Sequence, residues 1–257
     1  MRFLKKTYTF IIFLFLYAPI AILMLYSFND ARSRGRWGGF TLRWYKELFS
    51  DSSIMSALLN TLIIAFVSAA VAAVVGTFAA LGIHFMGKRT KGIIMKITYI
   101  PVMNPDIVTG VSLMLLFMFL HIPSGYITLI LAHITFNIPY VILSVLPKLQ
   151  QLNPHLFEAA EDLGAGFFYT FRKVILPEIS SGIITGFLLA LTLSIDDFVV
   201  SFFTKGAGIS TLSVLIYAMA RKNVSPTINA LSTIMFVSVM IMLIIVNKRS
   251  KNEEVEN

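Results

Sequence analysis

"EAAEDLGAGFFYTFRKVILP", residues 158–177, carries three acids and two bases in twenty positions of a chain that is otherwise mostly apolar. Its flanks read as helix. Asn153 suits a helix N-cap, Pro154 the first helical position, and Gly164 a left-handed stop after "HLFEAAEDL". A second stretch, "FFYTFRKVIL", runs to Pro177, where a helix is expected to end. Two short helices meeting at a glycine make a compact projection with an apolar face of Phe157, Ala160, Phe167, Phe168 and Phe171, rimmed by charge. Such a face fits either a groove on a partner protein or the surface of a bilayer.

The surroundings decide what the stretch projects from. Of 257 residues 57% are hydrophobic and only 13% charged, with a mean hydropathy of +0.81. Soluble domains average about 25% charged residues, so this composition points to a polytopic membrane protein, all-α, folded as one membrane domain. Six spans are expected, near 7–28, 60–86, 98–120, 126–146, 180–203 and 230–246. The first has the basic lead of a signal peptide (Arg2, Lys5, Lys6). Its apolar run is longer than a signal core and lacks a small-residue cleavage site, so a retained anchor is expected. The 13 Lys and Arg on the side of the termini outnumber the 8 on the other, so both termini and the 153–177 loop are expected in the cytoplasm. Trp37, Trp44 and Tyr45 in the 29–51 loop are expected at the outer interface, where aromatic rings are favoured.

The net charge of +8 does not indicate nucleic acid, because the bases sit in short clusters beside apolar runs and no nucleic-acid-binding pattern accompanies them. The absence of cysteine excludes disulfides and thiolate metal sites. His84, His121, His133 and His155 lack ligand spacing, so no metal is expected. "GIHFMGKR" (82–89) approaches a phosphate loop, but Arg89 stands where a hydroxyl should hold Mg²⁺ and an apolar span, not a strand, precedes it. No catalytic residue and no cofactor are therefore expected on this chain.

Two features lie inside the spans. Ser68, Ala72, Gly76 and Ala80 recur every four residues, which is either a close-packing seam or an accident of an alanine-rich helix. Asp106, Asp196 and Asp197 are intramembrane acids, each costing roughly 2.5–3.5 kcal/mol to insert near a helix centre. Pro101 and Pro105 invite a break beside Asp106, and broken helices with a polar residue line substrate cavities in transporters. Asp196 and Asp197 point about 100° apart, so at most one is expected to face a central pathway. The competing role for either is capping a helix or bonding Ser194 or Ser201.

Residues 158–177 resemble the EAA motif of ABC importer permeases: Glu158, Ala159, Ala160, Gly164, Ile175, Leu176 and Pro177 stand in the motif's places, with Val174 the one conservative departure. "SFN" (27–29), "GFTLRWY" (39–45), "MNPDIVTGVSLMLLF" (103–117), "HITFNIPYVI" (133–142), "LSIDDFVVSFF" (193–203) and "VSPTINALSTI" (224–234) are similar to the C-type permeases of spermidine/putrescine importers. The resemblance implies a type I ABC importer permease fold in a bacterial cytoplasmic membrane. It also implies a second homologous permease, two ATPase subunits that carry ATP and Mg²⁺, and an extracytoplasmic polyamine-binding protein. Glu158, Ala159, Ala160, Gly164, Leu176 and Pro177 would then couple to the ATPase, and for a polyamine cargo Asp106 and one of Asp196 and Asp197 are the candidates to face the pathway. A permease for iron, thiamine or phosphonate would carry the same motif. An ion-coupled secondary transporter would explain the acids but not the docking loop, and a purely structural membrane protein the reverse.

Overall fold

The structure, a computed structural model, describes residues 2–32, 36–153, 155–156, 160, 162, 164–222, 226–237 and 240. Among them there is no strand, only an isolated bridge between Asn29 and Phe40. The helices are α1 (Arg2–Ser27), α2 (Arg43–Ser50), α3 (Ser52–Phe85), α4 (Lys88–Met103), α5 (Asp106–Phe119) and α6 (Tyr126–Gln151). They continue as α7 (Phe167–Thr170), a π turn (Phe171–Ile175), α8 (Leu176–Asp196), α9 (Val199–Thr204), α10 (Leu212–Lys222) and α11 (Pro226–Val237). Two compact units result, 1–55 with 215–257, and 56–214.

Among the described residues four helices are long and apolar enough to cross a membrane: Lys6–Ser27, Ser52–Phe85, Tyr126–Gln151 and Phe168–Asp196. α4 and α5 qualify as a fifth only as a pair, bent by 104° at their junction. The expected third span, 98–120, is therefore not one helix. Pro105 has no N–H to continue the ladder and Asn104 is extended (ψ 144°), so the chain turns there. The expected fifth span, 180–203, also breaks: α8 stops at Asp196, Asp197 is extended (ψ 123°), and α9 restarts at Val199. Of the expected sixth span, 230–246, only 230–237 and 240 lie within the described residues.

The helix that was expected to end at Pro177 runs through it. Ahead of the proline the backbone widens into the π turn, with the Leu176 N–H returning to the Phe171 carbonyl five residues back. A wider turn here changes which carbonyls the proline ring meets, which is how helices commonly absorb a local insult to the i→i−4 ladder.

In the 56–214 unit, α3, α6 and α8 pack on one another. Their shared core contains Ala69, Ala72, Ala80 and Leu81 of α3, Val141, Val145 and Leu149 of α6, and Ile179 and Ala190 of α8. The Ser68/Ala72/Gly76/Ala80 seam faces this core within the same chain: Ser68, Ala72 and Ala80 are fully buried, and a Cβ on Gly76 would sit 2.7 Å from Val141 Cβ. α8 carries a matching series, Gly182, Gly186, Ala190 and Ser194, in which a Cβ on Gly186 would lie 3.2 Å from Val141 Cα. Small residues at this spacing are what allow helices to approach closely where lipid removes any hydrophobic drive between them.

In the 1–55/215–257 unit, "SFN" and "GFTLRWY" fold onto each other. Asn29 is buried; its amide donates to the Arg36 carbonyl (2.9 Å) and its side-chain oxygen accepts from the Gly38 N–H (2.7 Å). Trp44 Nε1 donates to the Asn29 carbonyl at 2.7 Å, and Ser27 Oγ meets the Tyr45 hydroxyl at 2.7 Å. Trp44 is thus 2% exposed, a buried ring and not the interfacial one expected, because its indole N–H has a backbone acceptor inside the loop. Trp37 is exposed, as an interfacial ring would be. Asp51 caps α3, accepting from the Ser53 hydroxyl (2.6 Å) and the Ser53 N–H (2.8 Å), and the Ser53 hydroxyl holds its carboxyl below the usual carboxylate range.

Candidate functional site

The two helix breaks meet. α9 packs on α5 where Gly110 leaves room: a Cβ there would stand 3.3 Å from Val200 Cα and 3.4 Å from the Val199 carbonyl oxygen. That contact brings Asp106, in the first turn of α5, and Asp197, at the α8–α9 break, to one cavity of about 60 Å³. Pro101, Thr109, Phe136, Tyr140, Leu193 and Val200 complete its wall.

Asp197 has two roles in the geometry. As a cap, its Oδ1 accepts from the Val200 N–H (3.1 Å) and its Oδ2 from the Ser201 N–H (2.7 Å). Hydrogen bonds to a charged group are worth roughly 1.5–3 kcal/mol each, so two of them match or exceed the roughly 2.5–3.5 kcal/mol insertion cost of the acid. Capping alone therefore explains how the charge is held. It does not explain why the same side chain also forms a cavity wall opposite a second acid. Asp196, one residue earlier, is exposed on the end of α8 and does not line the cavity. Of the three expected acids the structure brings two together, Asp106 and Asp197, and leaves Asp196 apart.

A buried polar ladder supports this wall from behind. His133 and Asn137 lie one turn apart on α6, both fully buried. Asn137 Nδ2 donates to Ser194 Oγ at 2.7 Å, and Ser194 Oγ lies 3.3 Å from Ser68 Oγ, which ties α6, α8 and α3 together. His133 Nε2 lies 3.0 Å from Ser201 Oγ and 3.5 Å from Asp197 Oδ2. Metal-ligand spacing does not single out His133 in the sequence. The signal that finds it is different: a His and an Asn at i and i+4 inside an apolar run, where polar groups are retained for a reason.

The 153–177 loop has a distinct geometry. Asn153 Oδ1 accepts the His155 N–H at 3.0 Å, as an N-cap does. Gly164 adopts φ 79°, and the Ala165 N–H returns to the Ala160 carbonyl at 3.0 Å, the six-to-one bond of a Schellman stop. Glu158 and Ala159 lie outside the described residues, as does Phe157. Phe168 is 83% exposed, whereas Phe171 turns inward, stacking on Phe78 at 5.7 Å and packing on the shared core. Phe171 is thus part of the helix anchorage and not of a projecting face. Leu176 and Pro177 sit at the first positions of α8, directly after the π turn.

Residues 72–249 match the family model described as "Binding-protein-dependent transport system inner membrane component". The chain is 37% identical over 243 residues, 95% of each chain, to the spermidine/putrescine transport system permease protein PotC of Haemophilus influenzae. It is 41% identical over 238 residues, 90% of this chain and 84% of the other, to the putrescine transport system permease protein PotI of Escherichia coli. A chain in the crystal structure of a bacterial ABC transporter that imports the polysaccharide alginate superposes with a TM-score of 0.74 at 18% identity, covering 97% of this chain and 94% of that one.

Proposed function

This chain belongs to the family of binding-protein-dependent transport system inner membrane components, multi-pass permease subunits of ABC importers, and from that premise we propose that its cargo is a polyamine, spermidine or putrescine. The observation that carries the cargo is the likeness to permeases named for those polyamines along 95% of the chain, far beyond the loop motif common to importers of many solutes. The cavity fits it chemically. Its wall offers two carboxylates and the rings of Phe136 and Tyr140, partners for an ammonium group, and among the described residues that line it there is no Lys or Arg that would favour an anion such as phosphonate. In the proposed assembly a PotB-type permease completes the pathway, a PotD-type protein delivers cargo outside, and two PotA-type ATPases bind ATP and Mg²⁺ and dock on the 153–177 loop. The sixth span of the type I fold is assigned to 230–246. In the complex reconstituted with its binding protein, spermidine or putrescine is expected to stimulate both ATP hydrolysis and uptake, while phosphate, ferric iron and thiamine do neither. Stimulation by one of those solutes and not by a polyamine would refute the cargo.

Orientation and docking share one measurement, made simple by the absence of cysteine. A single cysteine at Glu158 is expected to resist an impermeant thiol reagent in intact cells and to react in inside-out vesicles stripped of ATPase. Retained ATPase should protect it. Gly164→Val should lower ATPase retention in the same vesicles, because a β-branched residue is strained at φ 79°. Labelling in sealed intact cells would reverse the topology, and equal labelling with and without ATPase would remove the loop from the docking surface.

A further inference from the structure

His133 is 0% exposed, its ring 5.1 Å from that of Phe136. Nε2 faces Ser201 Oγ and Asp197 Oδ2, and Nδ1 is buried with no partner among the described residues. An apolar side chain would fill this space without desolvating a polar ring. What the imidazole adds is a group able to carry positive charge 3.5 Å from Asp197 Oδ2, beside the Val200 and Ser201 N–H groups, with the cavity bordering the same carboxylate. The charge problem there changes with occupancy. When the cavity holds no cation, the carboxylates of Asp197 and Asp106 border one small space, and like charges sharing a site disfavour each other.

We propose that His133 is the positioning residue of this site: it fixes the Asp197 carboxylate at the cavity edge and, as imidazolium, serves as its counter-charge until the cargo ammonium arrives. The inference rests on the reading that Asp197 meets the cargo. Proton and cargo then compete for one carboxylate, so imidazole protonation weakens cargo binding. Among the described residues the titratable groups around His133 are few. Asp197 is in contact, while Asp106 of α5 and Tyr140 of α6 line the cavity. α5 otherwise presents Leu113 and Phe117 to this part of α6, and α9 presents Val200, Ser201 and Thr204, none of which titrates in the relevant range.

The test is uptake by the reconstituted complex at subsaturating spermidine-loaded binding protein, with the outer pH varied from about 8 to about 5.5, the range in which imidazole titrates. Wild type is compared with His133→Gln, whose amide keeps a neutral hydrogen-bonding group. Because every partner subunit is the same in both, their own pH responses cancel in the ratio of the two rates. Relative to wild type, the variant should gain at acid pH by up to about tenfold per pH unit below the imidazole's titration, the slope of one-proton competition. A ratio constant with pH overturns the proposal. Wild type alone gives a second reading: uptake per ATP hydrolysed should fall at acid pH, and a constant value overturns the proposal even if the variant does not assemble. Asp197→Asn separates this inference from its premise. If that variant transports as wild type at every pH, the cation pathway itself fails; if it is impaired while the His133 ratio stays flat, the pathway stands and only the role of His133 falls.

Discussion

Asp197→Asn is expected to leave the transporter assembled and to weaken polyamine uptake by about 10- to 150-fold, the loss of one charge-assisted contact worth roughly 1.5–3 kcal/mol. The substitution is informative because Asp197 is also the cap of α9. Asn caps helices about as well as Asp, and its single amide oxygen can keep one of the two N–H bonds while the charge is removed. Asp196→Asn is the internal control. It changes a neighbouring acid that does not line the cavity, and should transport within about twofold of wild type if exposed substitutions away from the site are near neutral. Asp106→Asn should fall between the two, since Asp106 lines the cavity from the more exposed side. Initial uptake rates in proteoliposomes, normalised to assembled complex, decide the order. Normal transport by the Asp106→Asn/Asp197→Asn double variant would make both carboxylates structural.

That order of effects marks how far the sequence could be read. Membrane helices, the break at Pro105 and the glycine stop at Gly164 follow from single-residue chemistry: a missing N–H, a missing Cβ, a run of apolar side chains. They were legible for that reason. The break at Asp197 was not, because nothing in "LSIDDFVVSFF" forbids a continuous helix. What ends α8 is a long-range arrangement, with α9 leaning on Gly110 of α5 and the Asp197 carboxylate taking the freed N–H groups. Sequence placed Asp196 and Asp197 about 100° apart but had no means of choosing between them. The choice depends on where the chain leaves the helix. His133 was hidden in the same way: it pairs with Ser201 and Asp197, sixty-eight positions away for Ser201, and no local pattern couples them. Trp44 misled in the opposite direction, since a Trp in a loop beside a span reads as interfacial until the carbonyl of Asn29 is seen to receive its N–H.

The second large effect tests the seam that carries this geometry. Gly76→Val should destabilise the membrane domain by about 1–3 kcal/mol or more, the usual cost of overpacking, because a Cβ at that position would stand 2.7 Å from both Cβ and Cγ1 of Val141. Those are not the free ends of a flexible chain. Val141 is itself fully buried, and Gly186 packs against it so closely that even a Cβ there would lie 3.2 Å from Val141 Cα, so it has little room to retreat. Gly76→Ala should be unfavourable for the same reason, although alanine is the better helix former by about 1 kcal/mol. Gly82 supplies the contrast within the same helix. Nothing lies within 4 Å of a Cβ there, so Gly82→Ala should be neutral or stabilising. Thermal unfolding of the purified complex, followed by loss of the monodisperse peak on size exclusion, ranks the variants. Adding Val141→Ala to Gly76→Ala should recover most of the loss, since the second change vacates the volume the first one claims, and neighbours that share a cavity are expected to couple. If Gly76→Ala and Gly82→Ala behave alike, α3 and α6 are not in contact along this seam. Because His133 and Asn137 occupy the preceding turns of α6, the placement of Asp197 over its cavity would then need another cause.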